Sequence, residues 1–311
     1  METRAIGSLQ VTVVGIGCNN FGGRIDAPAT QAVVDAALDA GINLFDTADI
    51  YGGGQSEVLL GQALGDRRDQ VVIATKFGMG DGSSLPKGAS ATSVAAACEG
   101  SLRRLGTDRI DLYQLHAPDG EVPQDETLEA LDRLVREGKV REIGCSNFGG
   151  DLVDEATTVA AKNGTARYVS VQNELSLVRR GGETDLLAAC ERNDLVVLPY
   201  FPLASGLLTG KYRRGEEPPA GTRLANLPED RREKALSDKR FDTVEALEAF
   251  ASERGHTLLE LAMSWLAGLP HLASVIAGAT RPDQVKANAA SVGWQLTAED
   301  RAELDRITPP R

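Results

Sequence analysis

The chain has 311 residues, of which 42% are hydrophobic and 25% charged, and it carries a formal net charge of −12. A chain of this size and composition buries a large core as a globular protein. Its acidity argues against nucleic acid or an anionic membrane surface as partner, because phosphates would be repelled, but leaves room for a small anionic ligand in a local basic pocket.

In chain order, short apolar runs alternate with amphipathic segments. Strands are predicted at 11–17 (VTVVGIG), 42–47 (INLFDT), 71–76 (VVIATK), 110–116 (IDLYQLH), 140–146 (VREIGCS), 168–172 (YVSVQ), 195–200 (LVVLPY) and 272–278 (LASVIAG). Helical patterns fall at 30–40, 56–64, 91–104, 125–138, 151–162, 184–193, 242–254 and 282–290. In 125–138, Leu128, Leu131, Leu134 and Val135 share one face, acidic residues open the first turn, and Gly138 supplies a stop. Eight β-branched strands, each followed by a helix, predict a parallel sheet covered by helices. The expected fold is an α/β (β/α)8 TIM barrel, one domain over 1–311. A doubly wound sheet is the competitor suggested by GIGCNN at 15–20. That stretch has Asn20 where a dinucleotide fingerprint needs its third glycine, and no helix opens there. Residues 211–240 are rich in Pro, Gly and charge and predict a long loop after the seventh strand, of a length typical of a lid. The tail from 295 to 311 predicts a short closing helix.

Four cysteines, Cys18, Cys98, Cys145 and Cys190, form no C-x-x-C pair and have no histidine at metal-ligand spacing, so reduced thiols and no metal are expected. METRAIGSLQ has no signal-peptide core and no window reaches membrane length, so the expected location is cytoplasmic.

In such a barrel the chemistry sits where strands end and loops begin. The strand ends deliver Asp46, with Tyr51 in the following loop, then Lys76, His116, Ser146 and Asn147, Gln172, and Tyr200. Each has an ordinary explanation taken singly: a turn cap, a solvated strand end, a core histidine. Together they bring a carboxylate, an ammonium, an imidazole and a phenol to one mouth. A phenol holds its proton to about pH 10. An ammonium beside it stabilises the phenolate, and a carboxylate can hold that ammonium in place. The set suits protonation of a carbonyl oxygen while hydride reaches its carbon.

The sequence resembles the aldo-keto reductases. The resemblance rests on FDTADIYGGGQSEVLLGQAL (45–64), VVIATKFG (71–78), SLRRLGTDRIDLYQLHAPD (101–119), LVREGKVREIGCSNF (134–148), VQNELSL (171–177), PYFPLASGLLTGKY (199–212) and VIAGATRPDQVKAN (275–288), in order along nearly the whole chain. It implies a (β/α)8 barrel, an extended nicotinamide cofactor and reduction of aldehydes and ketones. The family's catalytic tetrad falls on Asp46, Tyr51, Lys76 and His116, with Tyr51 as general acid. The resemblance also implies that Ser146, Asn147 and Gln172 bond the carboxamide and that Tyr200 stacks on the nicotinamide. Pro202, Leu203, Ser205, Gly206, Leu207 and Lys211 would cradle the pyrophosphate, and Gly278, Thr280, Arg281, Gln284 and Asn288 the adenosine end. Phe201 stands where many members carry Ser, and Ala287 where an acidic residue is frequent. Cys18, where Thr is common, is expected to line the pocket unreactive, and Ile25, Ile50, Phe77 and the 211–240 loop to shape substrate choice.

The expected cofactor is NADPH, with NADH the alternative and Arg281 the cation for the 2′-phosphate. The expected partner is a small carbonyl or alcohol substrate. Run backwards, the same site is an NAD-linked sugar or secondary-alcohol dehydrogenase. A third reading, a cofactor-binding regulatory subunit of a membrane channel, finds no N-terminal extension and an intact tetrad against it.

Overall fold

The computed structural model describes residues 1–310. It opens with a hairpin, β1 (Thr3–Ile6) and β2 (Leu9–Thr12), paired antiparallel across Gly7, whose φ of 55° suits a glycine in a tight turn. The parallel units follow: β3 (Val14–Gly17), α1 (Ala27–Asp39), β4 (Leu44–Asp46), α2 (Gln55–Leu64), β5 (Val72–Phe77), α3 (Ala91–Leu105), β6 (Ile110–Leu115) and α4 (Gln124–Arg136). Then come β7 (Val140–Ser146), α5 (Gly150–Asn163), β8 (Ser170–Gln172), α6 (Glu183–Asn193) and β9 (Val196–Val197). The chain closes with α7 (Glu229–Ala235), α8 (Asp238–Glu253), α9 (Leu258–Ala267), β10 (Val275–Gly278), α10 (Pro282–Ala290) and α11 (Ala298–Ile307). No helix among the described residues is long and apolar enough to cross a membrane.

Eight strands pair in parallel in the order β10-β3-β4-β5-β6-β7-β8-β9. The sheet curls until its edges meet: Val197 N donates to His271 O at 2.8 Å, Ala273 N to Val197 O at 3.1 Å and Ile276 N to Pro199 O at 3.0 Å. This arrangement is consistent with a (β/α)8 barrel. GIGCNN is no dinucleotide fingerprint, since β3 ends at Gly17 and the next helix starts only at Ala27.

The alternation of strand side chains sorts the core into two. Phe45, Ile73, Phe77, Tyr113 and Leu115 point outward and pack under the helices. Leu44, Val72, Ala74, Leu112 and Leu198 join Ile6, Leu9 and Val11 of the hairpin in a separate apolar cluster. The hairpin thus plugs one end of the sheet. Two residues further along the same inward register stand Asp46 after Leu44, Lys76 after Ala74 and Gln114 after Leu112, with His116 two beyond Gln114. Apolar residues therefore fill the base and polar ones the opposite mouth.

Three departures from the expected elements stand out. The single strand at 11–17 is two, because Thr12 is tied to Asn43 Oδ1 through its N at 2.8 Å and its hydroxyl bonds Val14 O at 2.8 Å, breaking the run at Val13. Helix α9 was not foreseen: LLELAMSWLA is apolar nearly all round and shows no stripe. The 211–240 loop carries α7 and runs into the start of α8.

Candidate active site

Strand β5 carries Lys76 into the interior, where its ammonium donates to both carboxylate oxygens of Asp46 at 2.7 Å and to Thr47 O at 2.8 Å. Both side chains are buried. Burial pulls the Lys76 ammonium down, but Asp46 and Tyr51 outweigh it and the net shift is upward, so it stays charged. Its Nζ lies 5.3 Å from the centre of the Tyr51 ring. Burial pushes the Tyr51 phenol above its ordinary value, and Lys76 offsets only part of that rise. The lowering by Lys76 expected from the sequence is present, but desolvation outweighs it and the net shift of the phenol is upward. The His116 ring meets Tyr51 edge-on, with centres 5.8 Å apart and planes at 80°. Burial, then the Lys76 charge, lowers the His116 imidazole to about 3, so it is neutral at physiological pH. Its Nδ1 is buried without a protein partner.

Around the carboxylate, Gln172 Nε2 donates to Asp46 Oδ1 at 2.8 Å and Gln114 Nε2 to the same oxygen at 3.3 Å. Gln114 was missed from the sequence, although it stands two residues before His116 on the same strand face. Asn147 adopts φ 61°, unusual for a side-chain-bearing residue. Its amide donates to His116 O at 2.8 Å and Ser146 Oγ at 3.1 Å, and its Oδ1 accepts from the Tyr200 hydroxyl at 2.8 Å. Ser146 Oγ in turn donates to Gln172 O at 2.8 Å. Ser146, Asn147, Gln172 and Tyr200 therefore form one connected network beside the Asp46–Lys76 pair.

A cavity of about 850 Å³ runs from Tyr51 and His116 to the first turn of α10. It is lined by every expected cofactor residue except Leu207, whose side chain turns into the core, and Lys76 lies just beneath it. Cys18, Ile25, Ile50 and Phe77 do not line it: Cys18 is fully buried, and Phe77 stacks on Tyr113 with ring centres 4.6 Å apart. The lining includes instead Met79 and Phe201, two exposed large apolar side chains. Phe201, Ala204, Ser205 and Gly206 have φ of 52°, 46°, 60° and 92°, a left-handed run of the kind that shapes anion-accepting concavities. The long loop supplies Pro219 through Arg223. It is joined to the far wall by Arg24 Nη2 donating to Gly221 O at 3.0 Å and Arg223 Nη2 to Asn20 Oδ1 at 3.3 Å. Arg223 also lies 5.2 Å from the Phe201 ring centre. Arg223 belongs to the 211–240 loop expected to shape the pocket, whereas Asn20 and Arg24 gave no such signal, since nothing in their local pattern tells a wall residue from a solvated one.

The aldo/keto reductase family profile matches residues 13–309. The chain belongs to this family. Membership implies NAD(P)H-dependent carbonyl reduction, and so an oxidoreductase. Among similar proteins, "Aldo-keto reductase YhdN" of Bacillus subtilis (strain 168) is 34% identical over 307 residues, covering 96% of this chain and 90% of its own. "Uncharacterized oxidoreductase YrpG" of the same organism is 35% identical over 313 residues, covering 97% and 93%. A "Probable voltage-gated potassium channel subunit beta" of Oryza sativa subsp. japonica is 34% identical over 272 residues, covering 86% and 83%.

Aldo-keto reductases generally use NAD(P)H, and the cavity of this member suits such a group. In a chain of net charge −12 it gathers Arg24, Lys211, Arg223 and Arg281. Burial and then the three guanidinium groups push the Lys211 ammonium down, the mark of crowded positive charge. That field favours a polyanion such as a pyrophosphate.

Proposed function

We propose that the protein reduces aldehydes or ketones to alcohols with Tyr51 as proton donor and NADPH as the preferred carrier. The observation that carries this reading is the Asp46–Lys76 ion pair held beneath a protonated Tyr51, with a neutral imidazole at the phenol's edge. A bound nicotinamide supplies the hydride. Tyr51 gives its proton to the carbonyl oxygen, and Lys76 stabilises the phenolate left behind. Asp46 keeps Lys76 charged and in place. His116, neutral and with no protein group on Nδ1, is suited to donate a hydrogen bond from its other nitrogen to the same oxygen. Ser146, Asn147, Gln172 and Tyr200 orient the nicotinamide, Pro202 to Lys211 hold the pyrophosphate, and Gly278 to Asn288 hold the adenosine. Asn20, Arg24 and Arg223 tie the long loop across the groove. Met79 and Phe201 give the substrate an apolar wall.

The test is a panel of aldehydes and ketones with NADPH and NADH, and of alcohols with the oxidised forms, followed by nicotinamide absorbance. Tyr51→Phe should lower kcat by about 10²–10⁴-fold and leave nucleotide affinity within about twofold. A Tyr51→Phe enzyme of normal rate would overturn the assignment. The likeness to a protein named as a channel β subunit favours a second reading, a nucleotide-binding subunit. Nucleotide binding without multiple turnovers on any panel member would support that reading instead.

A further inference from the structure

Among the residues that line the cavity only two are carboxylates, Asp46 and Asp283. Asp46 is neutralised by Lys76. Asp283 lies at the other end, in the first turn of α10, two residues after Arg281. It is engaged in a fork with the residue expected to read the 2′-phosphate: Arg281 Nε donates to Asp283 Oδ1 at 3.1 Å and Arg281 Nη2 to Oδ2 at 3.1 Å. The Nε–Nη2 edge of the guanidinium, well matched to a carboxylate or a phosphate, is thereby filled, which leaves only the Nη1–Nη2 edge for a ligand. The helix N-terminus, which would favour a phosphate, also faces an anion of the chain's own. No other α10 residue lining the cavity carries a positive charge. Gln284 Oε1 is taken by Thr280, from its N at 2.8 Å and its hydroxyl at 3.1 Å, and Ala287 has no polar group.

Resting on the reading of this cavity as a nicotinamide dinucleotide site, we infer that Asp283 is a specificity-determining residue that holds down the preference for NADPH over NADH. A 2′-phosphate on Arg281 either displaces Asp283 from its edge or takes the remaining one, and in both positions it sits beside the Asp283 carboxylate. A 2′-hydroxyl meets no such repulsion and finds in Asp283 an acceptor. The wild-type protein therefore binds both nucleotides with a small margin between them. Both Arg281 and Asp283 are exposed, so substitution there leaves the core untouched.

The test measures binding by calorimetry, without turnover, for NADPH, NADH, 2′,5′-ADP and 5′-ADP against wild type, Asp283→Asn, Arg281→Ala and the double variant. Asp283→Asn should tighten NADPH and 2′,5′-ADP by about tenfold, the scale of one charge-assisted bond, with NADH and 5′-ADP within about twofold. The gain should vanish in the double variant, because it acts through Arg281. An equal change for all four ligands would mean that Asp283 only caps α10, and would overturn the inference. Tight binding of both nucleotides with an unchanged ratio would overturn it as well. Failure of every nucleotide to bind any of the four proteins would instead refute the cofactor reading on which it rests.

Discussion

Lys76 and Asp46 meet out of contact with solvent, and their energetics follow from that. Two buried charges are tolerable only while paired, and removing one leaves the other stranded at a cost of about 3–5 kcal/mol. Asp46 would keep only the amide groups of Gln172 and Gln114. Lys76→Met should therefore abolish turnover and lower the denaturation free energy by about that amount. Adding Asp46→Asn to it should restore most of the stability and none of the activity. Lys76→Met at wild-type rate, or a double variant no more stable than the single one, would show that the pair is not what it is taken to be. The residue types and order of this set were legible in the sequence, because strand ends in such a sheet converge. The protonation state of Tyr51 was not. It depends on how far burial exceeds the Lys76 charge, and burial is set by residues distant in sequence.

At the scale of elements, periodicity revealed what it can reveal. Helix α4 buries Leu128, Leu131 and Leu134 as its stripe requires, and ends before Gly138 at φ 73°. Helix α9 has no stripe because α9 is buried nearly all round, yet its Thr257–Glu260 capping box was present in the sequence and would have located its start. The β1–β2 hairpin, over 3–12, overlaps the apolar run at 11–17 only by Val11 and Thr12, and only packing against Leu44, Val72 and Leu112 distinguishes a plug from a strand of the parallel sheet. Helices α2 and α3 approach so closely at Gly61 that an added Cβ would lie 2.3 Å from Leu105 O and 2.7 Å from its carbonyl carbon. Backbone cannot swing aside as a side-chain tip can. Gly61→Ala should push α2 off α3 and destabilise the protein by about 1–3 kcal/mol, read as a lower thermal midpoint. An unchanged midpoint would mean that the helix layer yields at little cost.

At the scale of the whole molecule, the described residues include one buried carboxylate left without a hydrogen-bond partner. Asp49 is fully buried and both its oxygens lack a protein partner. Burial, reinforced by Glu57 and only partly offset by Arg104, lifts its carboxyl from 3.8 to about 7. Between those values the folded protein holds a proton that the unfolded chain has released. Its stabilising contribution is complete below about pH 4 and is lost as pH rises to about 7, by up to ~1.4 kcal/mol per pH unit. Asp49→Asn removes that loss. Denaturation at pH 5 and pH 8 should show the variant gaining on wild type by about 1–3 kcal/mol over the interval. Parallel behaviour of the two proteins would mean that Asp49 is ionised throughout.

The sequence by itself determined the alternation of strands and helices, the residue types and order of the expected tetrad, and the family. Each of these is written locally, in residue type, spacing and strand period. Tertiary structure decided which groups surround those residues. It brought Arg24, Asn20 and Arg223 together across the groove from segments about two hundred positions apart. It withdrew Leu207, Phe77 and Cys18 from the cavity, and it set Asp283 against Arg281. Desolvation and charge pairing act through space at a few ångströms, so they are fixed only once the chain has closed its sheet and distant loops have met over one mouth.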